Sequence, residues 1–385
     1  MHLGLRIGAM AFACLLLTAA NSDHITIDEL IAEVRAGIHQ NKSDKDIAKS
    51  VRKLQLSQKM EERVIEELQS EGAGPDTLEE LLYKRDASDK LPLPDNPPHF
   101  DSPPRPSIDE QKSFFHQVAT NAFQYVRRLP DFICTQQVHR YTMGPATVPG
   151  LLPSMARSGS RNQPVQMQTR WWSKDMLTVK LTYFENHEKY ELVSVNGKKA
   201  NTSFEAVGGA ISEGEFGSTL MEVFDPATKS QFRWDHWTHL RKRLTRVYSF
   251  TGTKDKSHYR VGTSDPNTEQ RTIIVGRHGF VYADDETRMV VRILVEADSI
   301  PKGYPVIAAT SLLDYDFSKV GDQRYLLPLR AEARMKTTRI QYRNVVDFTD
   351  YRKFSGESSI SFDAPDAGPD PAKAPEPTPP VPPKP

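Results

Sequence analysis

Cysteine is nearly absent from this chain: 385 residues carry two, and one of them, Cys14, sits inside an apolar leader. Once that leader is removed Cys134 stands alone, so an internal disulfide is excluded and stability has to come from an apolar core. A surplus of one charge is also missing. Fifty Lys plus Arg balance fifty Asp plus Glu, without the basic excess by which nucleic-acid binders are recognised. No apolar run reaches the roughly 20 residues that cross a bilayer as a helix. The familiar catalytic templates fail as well. There is no G-x-S-x-G elbow, no Walker loop and no G-x-G-x-x-G after a strand, and His187-Glu188 lacks the second His of H-E-x-x-H.

What is present begins with the leader. Arg6 supplies a positive start, Ile7 to Ala20 run apolar, and Thr18-Ala19-Ala20 offer small residues before Asn21. Residues 1–20 therefore read as a signal peptide, which makes the chain periplasmic or secreted, with no membrane span after cleavage. An uncleaved N-terminal anchor is the rival reading. A lipid anchor on Cys14 does not fit, because that residue lies in the middle of the run and not at its end.

Composition divides the rest. Residues 23–88 carry helical periodicity in short pieces: Ile27, Leu30, Ile31, Val34 and Ile38, then Ile47, Val51 and Leu54, then Met60, Val64, Ile65 and Leu68, then Leu78, Leu81 and Leu82. Capping boxes are expected at Thr26 with Glu29 and at Thr77 with Glu80, and Gly72-Ala73-Gly74-Pro75 marks a stop and turn. Helices this short must pack on one another or on a partner, so this region is either a small helical module or a docking module for another envelope protein. Residues 89–107 form a proline-rich linker, and residues 363–385 a proline-rich tail expected to be disordered.

Residues 108–362 read as a second domain. Ser107 and Glu110 suggest a capping box, Phe114, Val118, Ala122, Tyr125 and Leu129 share one helical face, and Pro130 ends the helix. From Asp131 the rhythm becomes period two. Strands are expected at 177–183, 189–195, 244–250, 257–261, 271–275, 280–282, 289–295, 308–317, 325–335 and 340–348, with Asn196-Gly197 as a hairpin turn. Strands that follow one helix without interleaved helices indicate an α+β chain: a small helical N-terminal module plus a curved antiparallel meander, half-barrel or open barrel, with a preceding amphipathic helix.

Individual residues yield no catalytic, cofactor-binding or metal-binding assignment. His236 and His239 have the spacing of two imidazoles on one side of a helical turn, but no third ligand stands at metal-site spacing, and Trp234, Trp237 and Leu240 read as an apolar edge packed on the sheet. Cys134 falls on a strand just after a helix C-terminus, with His139 on the opposite strand face, and reads as a buried structural thiol, with pairing between chains as the other option. Arg241-Lys242-Arg243 with Arg246 could hold an anionic headgroup or a sugar acid, although such residues on strands are usually solvated. Asn41-Lys42-Ser43 and Asn201-Thr202-Ser203 match the glycosylation sequon, which matters only in a eukaryotic secretory route.

The helix-to-strand entry Leu129-Pro130-Asp131-Phe132 with Gln136 beyond, followed by a meander containing Val281-Tyr282-Ala283-Asp284-Asp285-Glu286-Thr287 and Val290-Val291-Arg292-Ile293, resembles the outer-membrane lipoprotein carrier family and its half-barrel relatives. The chain is also similar to bacterial envelope proteins for which no activity is implied. The carrier resemblance spans roughly residues 108 to 362 and implies a curved sheet with a helical lid that holds acyl chains or a protein partner, without identifying any ligand-contacting residue. An exported, non-enzymatic binding module for a lipid, a lipoprotein or an envelope partner is thus the first expectation. An envelope structural protein docking through its helical module and proline-rich tail is the second, and a hydrolase with dispersed catalytic groups the third.

Overall fold

The short apolar stripes of the N-terminal region fold as four helices that satisfy one another. In the computed structural model, which describes residues 24–144, 171–185, 187–207, 218–263 and 271–354, these are α1 (Ile27–His39), α2 (Asp44–Lys53), α3 (Glu62–Ser70) and α4 (Pro75–Ala87). The leader and the tail lie outside the described residues. Ile27, Leu30, Ile31, Val34, Ile47, Val51, Met60, Val64, Ile65, Leu68 and Leu81 are buried together as one apolar cluster. Thr26 and Glu29 make the expected reciprocal cap on α1.

The second capping box does not form. Helix α4 starts three residues earlier than that box requires, at Pro75, where proline needs no N–H partner. Its free N–H groups are taken by a side chain from another helix: Asp44 accepts from the backbone of Asp76 at 2.7 Å and of Thr77 at 3.1 Å. Glu80 instead pairs with Arg52 on α2. At the far end of the same pair, Lys84 donates to the carbonyls of Arg52 and Leu54. Both ends of α2 are therefore tied to α4 by charge-assisted bonds.

Helix α5 (Ile108–Arg128) follows, capped by Ser107, which accepts from the Glu110 N–H. The Glu110 side chain turns away to Arg246, so only half of that capping box exists. The strands are β1 (Phe132–Met143), β2 (Trp172–Phe184), β3 (His187–Val195), β4 (Lys198–Lys199), β5 (Gln231–Leu240), β6 (Arg243–Gly252), β7 (Arg260–Thr263), β8 (Arg271–Ile274), β9 (Gly276–Asp284), β10 (Val290–Asp298), β11 (Val306–Val320), β12 (Gln323–Thr337) and β13 (Gln341–Lys353). A seven-residue helix, α6 (Ser218–Phe224), precedes β5.

Eleven of these strands form one antiparallel sheet in the order β4-β3-β2-β1-β13-β12-β11-β10-β9-β6-β5, and β7 with β8 make a separate two-stranded ribbon. The sheet is open, since β4 and β5 are not paired with each other. It is the curved α+β meander that the strand pattern implies, with one feature that pattern does not show. The last strand, β13, returns to pair with β1 over most of its length, so the ends of the domain meet in the middle of the sheet. Asn196 and Gly197, both at positive φ, form the β3–β4 turn, as their hairpin signal requires.

The segment containing His236 and His239 is a strand and not a helical turn. A register shift between Trp234 and Trp237 breaks the two-residue alternation of β5 and hides it from the sequence pattern. Residues 257–259 likewise precede β7 instead of belonging to it.

Alternation along the central strands sends two different sets of side chains to the two faces. Val281, Ile293 and Leu313, aligned across β9, β10 and β11, join the large apolar cluster that contains Phe114, Val118 and Ala122 of α5. On the opposite face Tyr282, Arg292 and Asp314 stand side by side and meet the helical module. Arg292 holds Asp314 through two bonds, of 2.8 and 3.0 Å, and reaches Gln69 on α3. Glu66 of α3 is completely buried, accepting from the Tyr282 hydroxyl at 2.6 Å and lying 3.2 Å from His236. Farther along, Glu332 lies between Arg334 and Arg343, which also reach Asp86 and Glu79 of α4. The proline-rich stretch is docked too: Phe100 is buried in the helical cluster and Pro104 accepts from the Trp237 indole.

Burial opposes the charge on His236, but its bonds to Asp235 and Glu66 outweigh that effect and raise its pKa to about 9. Burial likewise opposes the Glu332 carboxylate, and Arg334 with Arg343 overcome it, lowering its pKa to about 2. The two groups limit stability from opposite sides. The His236 contribution is complete below its ordinary value of 6.5 and is lost as pH rises through about 9. The Glu332 contribution is complete above 4.5 and is lost as pH falls towards about 2. Urea unfolding followed across pH should show His236→Gln flattening the alkaline limb alone and Glu332→Gln the acid limb alone. Independently, Asp44→Ala should cost about 1–2 kcal/mol, the usual loss for a helix cap, read as a lower urea midpoint.

Candidate binding site beneath helix α5

Helix α5 lies on the apolar face of the sheet because its stripe leaves no other solution: Phe114, Val118 and Ala122 are buried against strand residues including Tyr248, Phe250, Val281 and Ile293. It is held differently along its length. Its first two-thirds, as far as Asn121, carry polar ties. Tyr248 donates to the Gln111 carbonyl at 3.2 Å, Arg246 pairs with Glu110 at 2.9 Å, and Asn121 donates to the Arg288 carbonyl at 3.2 Å. The Arg246 guanidinium also lies 4.1 Å from the centre of the Phe114 ring.

The last two turns rest on rings. Tyr125 and Leu129 pack against the same cluster as Phe132, Tyr183 and Tyr315, with Tyr351 beside them. Phe132 stacks on Tyr183 with centroids 5.2 Å apart and meets Tyr351 edge-on at 5.6 Å. Burial raises the Tyr125 and Tyr351 hydroxyls well above their ordinary range and Tyr183 to about 12. These phenols stay neutral and protonated under all ordinary conditions, so they can donate hydrogen bonds and cannot act as bases near neutral pH.

Two polar groups in this apolar setting have no partner. The Tyr125 hydroxyl and the Gln136 side-chain nitrogen are both enclosed without a hydrogen bond. Gln136 is 2% exposed and stands on β1 between Val179 of β2 and Phe348 of β13. A buried donor left unpaired costs about 1–3 kcal/mol, and proteins rarely retain one without a reason. What the arrangement can do chemically is bind an acceptor, such as a carbonyl or carboxyl oxygen, at the end of an apolar segment.

The residues singled out in the sequence are dispersed. Cys134 is fully buried, outside any disulfide, on the α5 face of β1, with His139 half-buried on the other face. His236 reaches Glu66 while His239 pairs across β5 with Leu244, so the two imidazoles do not converge. Among the described residues no group of three or more His, Cys, Asp and Glu could hold a metal ion. The arginine cluster is occupied internally and does not present a free cationic surface. Arg241 binds Asp314 at 2.9 Å and the Tyr315 carbonyl at 2.7 Å, Arg243 binds Asp316 at 3.2 Å, and Arg246 binds Asp285 at 2.6 Å as well as Glu110. The sequon at Asn41 lies in the turn after α1, and Asn201 is exposed after β4. Gln136 appeared in the sequence only as part of the helix-to-strand entry. A polar residue at an inward position of an otherwise apolar strand was the available signal for it.

No protein-family model and no curated protein matches the chain. Among solved structures it is similar to an outer membrane lipoprotein-sorting protein domain from Vibrio parahaemolyticus, at 11% identity and a TM-score of 0.33, covering 63% of this chain and 93% of that one. It is also similar to a DUF1329 family protein from Desulfovibrio piger, at 9% identity and a TM-score of 0.30, covering 64% and 94% respectively. Among the described residues no helix is long and apolar enough to cross a membrane.

If Gln136 is retained for binding and not for folding, Gln136→Leu should stabilise the unliganded protein by about 1 kcal/mol or more by removing an unpaired amide. Thermal unfolding of delipidated protein measures this, and a clear loss of stability would show that the amide has a structural partner.

Proposed function

We propose that the mature chain is an exported binding module that performs no covalent chemistry and holds an acyl chain, free or on a lipoprotein, between the C-terminal half of α5 and its sheet. The observation that supports this reading is the pair of unpartnered donors, Tyr125 and Gln136, enclosed in an apolar and aromatic setting. An apolar chain fits the rings, and its carbonyl or carboxyl end supplies the acceptor those donors lack. The uneven fastening of α5 gives the route. The polar ties at Glu110, Gln111 and Asn121 hold the helix as far as Asn121, and the last two turns, which rest on the aromatic patch, are the part that can lift. The apolar leader over residues 1–20 supports export and an envelope location. In this reading residues 23–88 form a bracing module on the far face of the sheet, residues 108–362 the binding domain, and residues 363–385 a spacer tail.

Organic extraction of the purified protein followed by mass spectrometry should recover fatty acid or phospholipid, and delipidated protein should take up a fluorescent fatty acid. Tyr125→Phe and Gln136→Leu should each weaken that uptake by about fivefold, the equivalent of about 1 kcal/mol for one hydrogen bond. An empty protein that takes up no fatty acid ends this reading.

A further inference from the structure

On the other side of the sheet, α2 and α4 border a groove of about 560 Å³ that Trp171, just before β2, helps to line. Its walls are fixed. Asp44 caps α4 at one end and Lys84 closes on the last carbonyls of α2 at the other. Its size falls within the range of small-molecule sites, about 300–1,000 Å³.

The lining combines two chemistries. Tyr83 and Trp171, both half-buried, supply flat aromatic surface. Around them stand Lys45 and Asp76, Lys49, which pairs with Asp46, and Glu79, which pairs with Arg343, while Arg52 and Glu80 pair with each other at 2.8 Å. Among the described residues the three cationic and three anionic side chains of the lining carry no net charge. Such a surface has no means of concentrating a polyanion or a polycation. It is too polar for an acyl chain, whose burial would strand these charges. Dense donors and acceptors beside exposed ring faces suit a ligand that is neutral, rich in hydroxyls and apolar on its flat sides. A pyranose ring has that character: its C–H face packs on an aromatic ring while its hydroxyls reach carboxylates and ammonium groups.

We propose that the α2–α4 groove is a saccharide site that takes a neutral oligosaccharide segment. It is separate from the site under α5 and does not depend on the acyl-chain reading.

The test titrates the full mature chain with soluble neutral tetrasaccharides, cellotetraose and the β-linked N-acetylglucosamine tetramer, using calorimetry and indole fluorescence. At least one should bind, and Trp171→Ala should weaken it at least tenfold without altering fatty-acid uptake. Because Trp171 borders β2, Tyr83→Ser on α4 provides a second variant, expected to weaken binding at least fivefold with an unchanged urea midpoint. The proposal fails if neither sugar binds, if both variants bind as tightly as the parent chain, or if a mixed-charge peptide binds the groove in preference to both sugars.

Discussion

A layer of buried charge between the helical module and the sheet is the constraint on which the rest of this structure depends. Arg292 with Asp314, Glu66 with Tyr282 and His236, and Glu332 between Arg334 and Arg343 lie on one sheet face, and partners from α3 and α4 complete them. Burying any of these ions alone would cost several kcal/mol. The helices must therefore sit where they do, or the network would be left incomplete. The apolar clusters of the two parts supply the bulk of the burial; the charged layer supplies the register between them.

That division of labour frees the opposite face. With one side of the sheet fixed by paired charges, α5 can cover the other side largely through apolar contact, which carries little directional preference. Polar ties from Glu110 to Asn121 then decide which part of α5 stays. Two features stand out on the two faces: the unpaired donors Tyr125 and Gln136 on the α5 side, and a polar, ring-bearing groove over α2 and α4.

Much of the scaffold was legible in the sequence, because period and composition report burial directly. The stripes Ile27 to Val34 and Phe114 to Ala122 are buried as their spacing implies, and the alternating segments from Leu177 onward lie in the sheet. The misreadings have local causes. The bulge at Trp234–Trp237 kept β5 out of the strand pattern, although Trp234, Trp237 and Leu240 read as an apolar edge on the sheet, α6 is too short to show a period, and the Asp44 cap on α4 comes from about thirty residues away in sequence. The site was far less legible. Gln136 and Tyr125 matter through the absence of a partner, and an absence becomes visible only when every neighbour is in place. The basic cluster at 241–246 misled in the converse way, since its neutralising carboxylates come from Glu110, Asp285, Asp314 and Asp316.

The pairing of β1 with β13 bears on how the chain reaches this state. Strand β1, an interior strand of the sheet, has its second neighbour about two hundred residues downstream, so the sheet cannot close there until the end of the domain is available. Loops that long are slow to form, and until then β1 presents a bare, hydrogen-bonding flank to any other nascent chain. A polypeptide with this connectivity completes its sheet only when nearly its whole length is available, and truncated products should be claimed by chaperones and proteases instead of accumulating as partial domains.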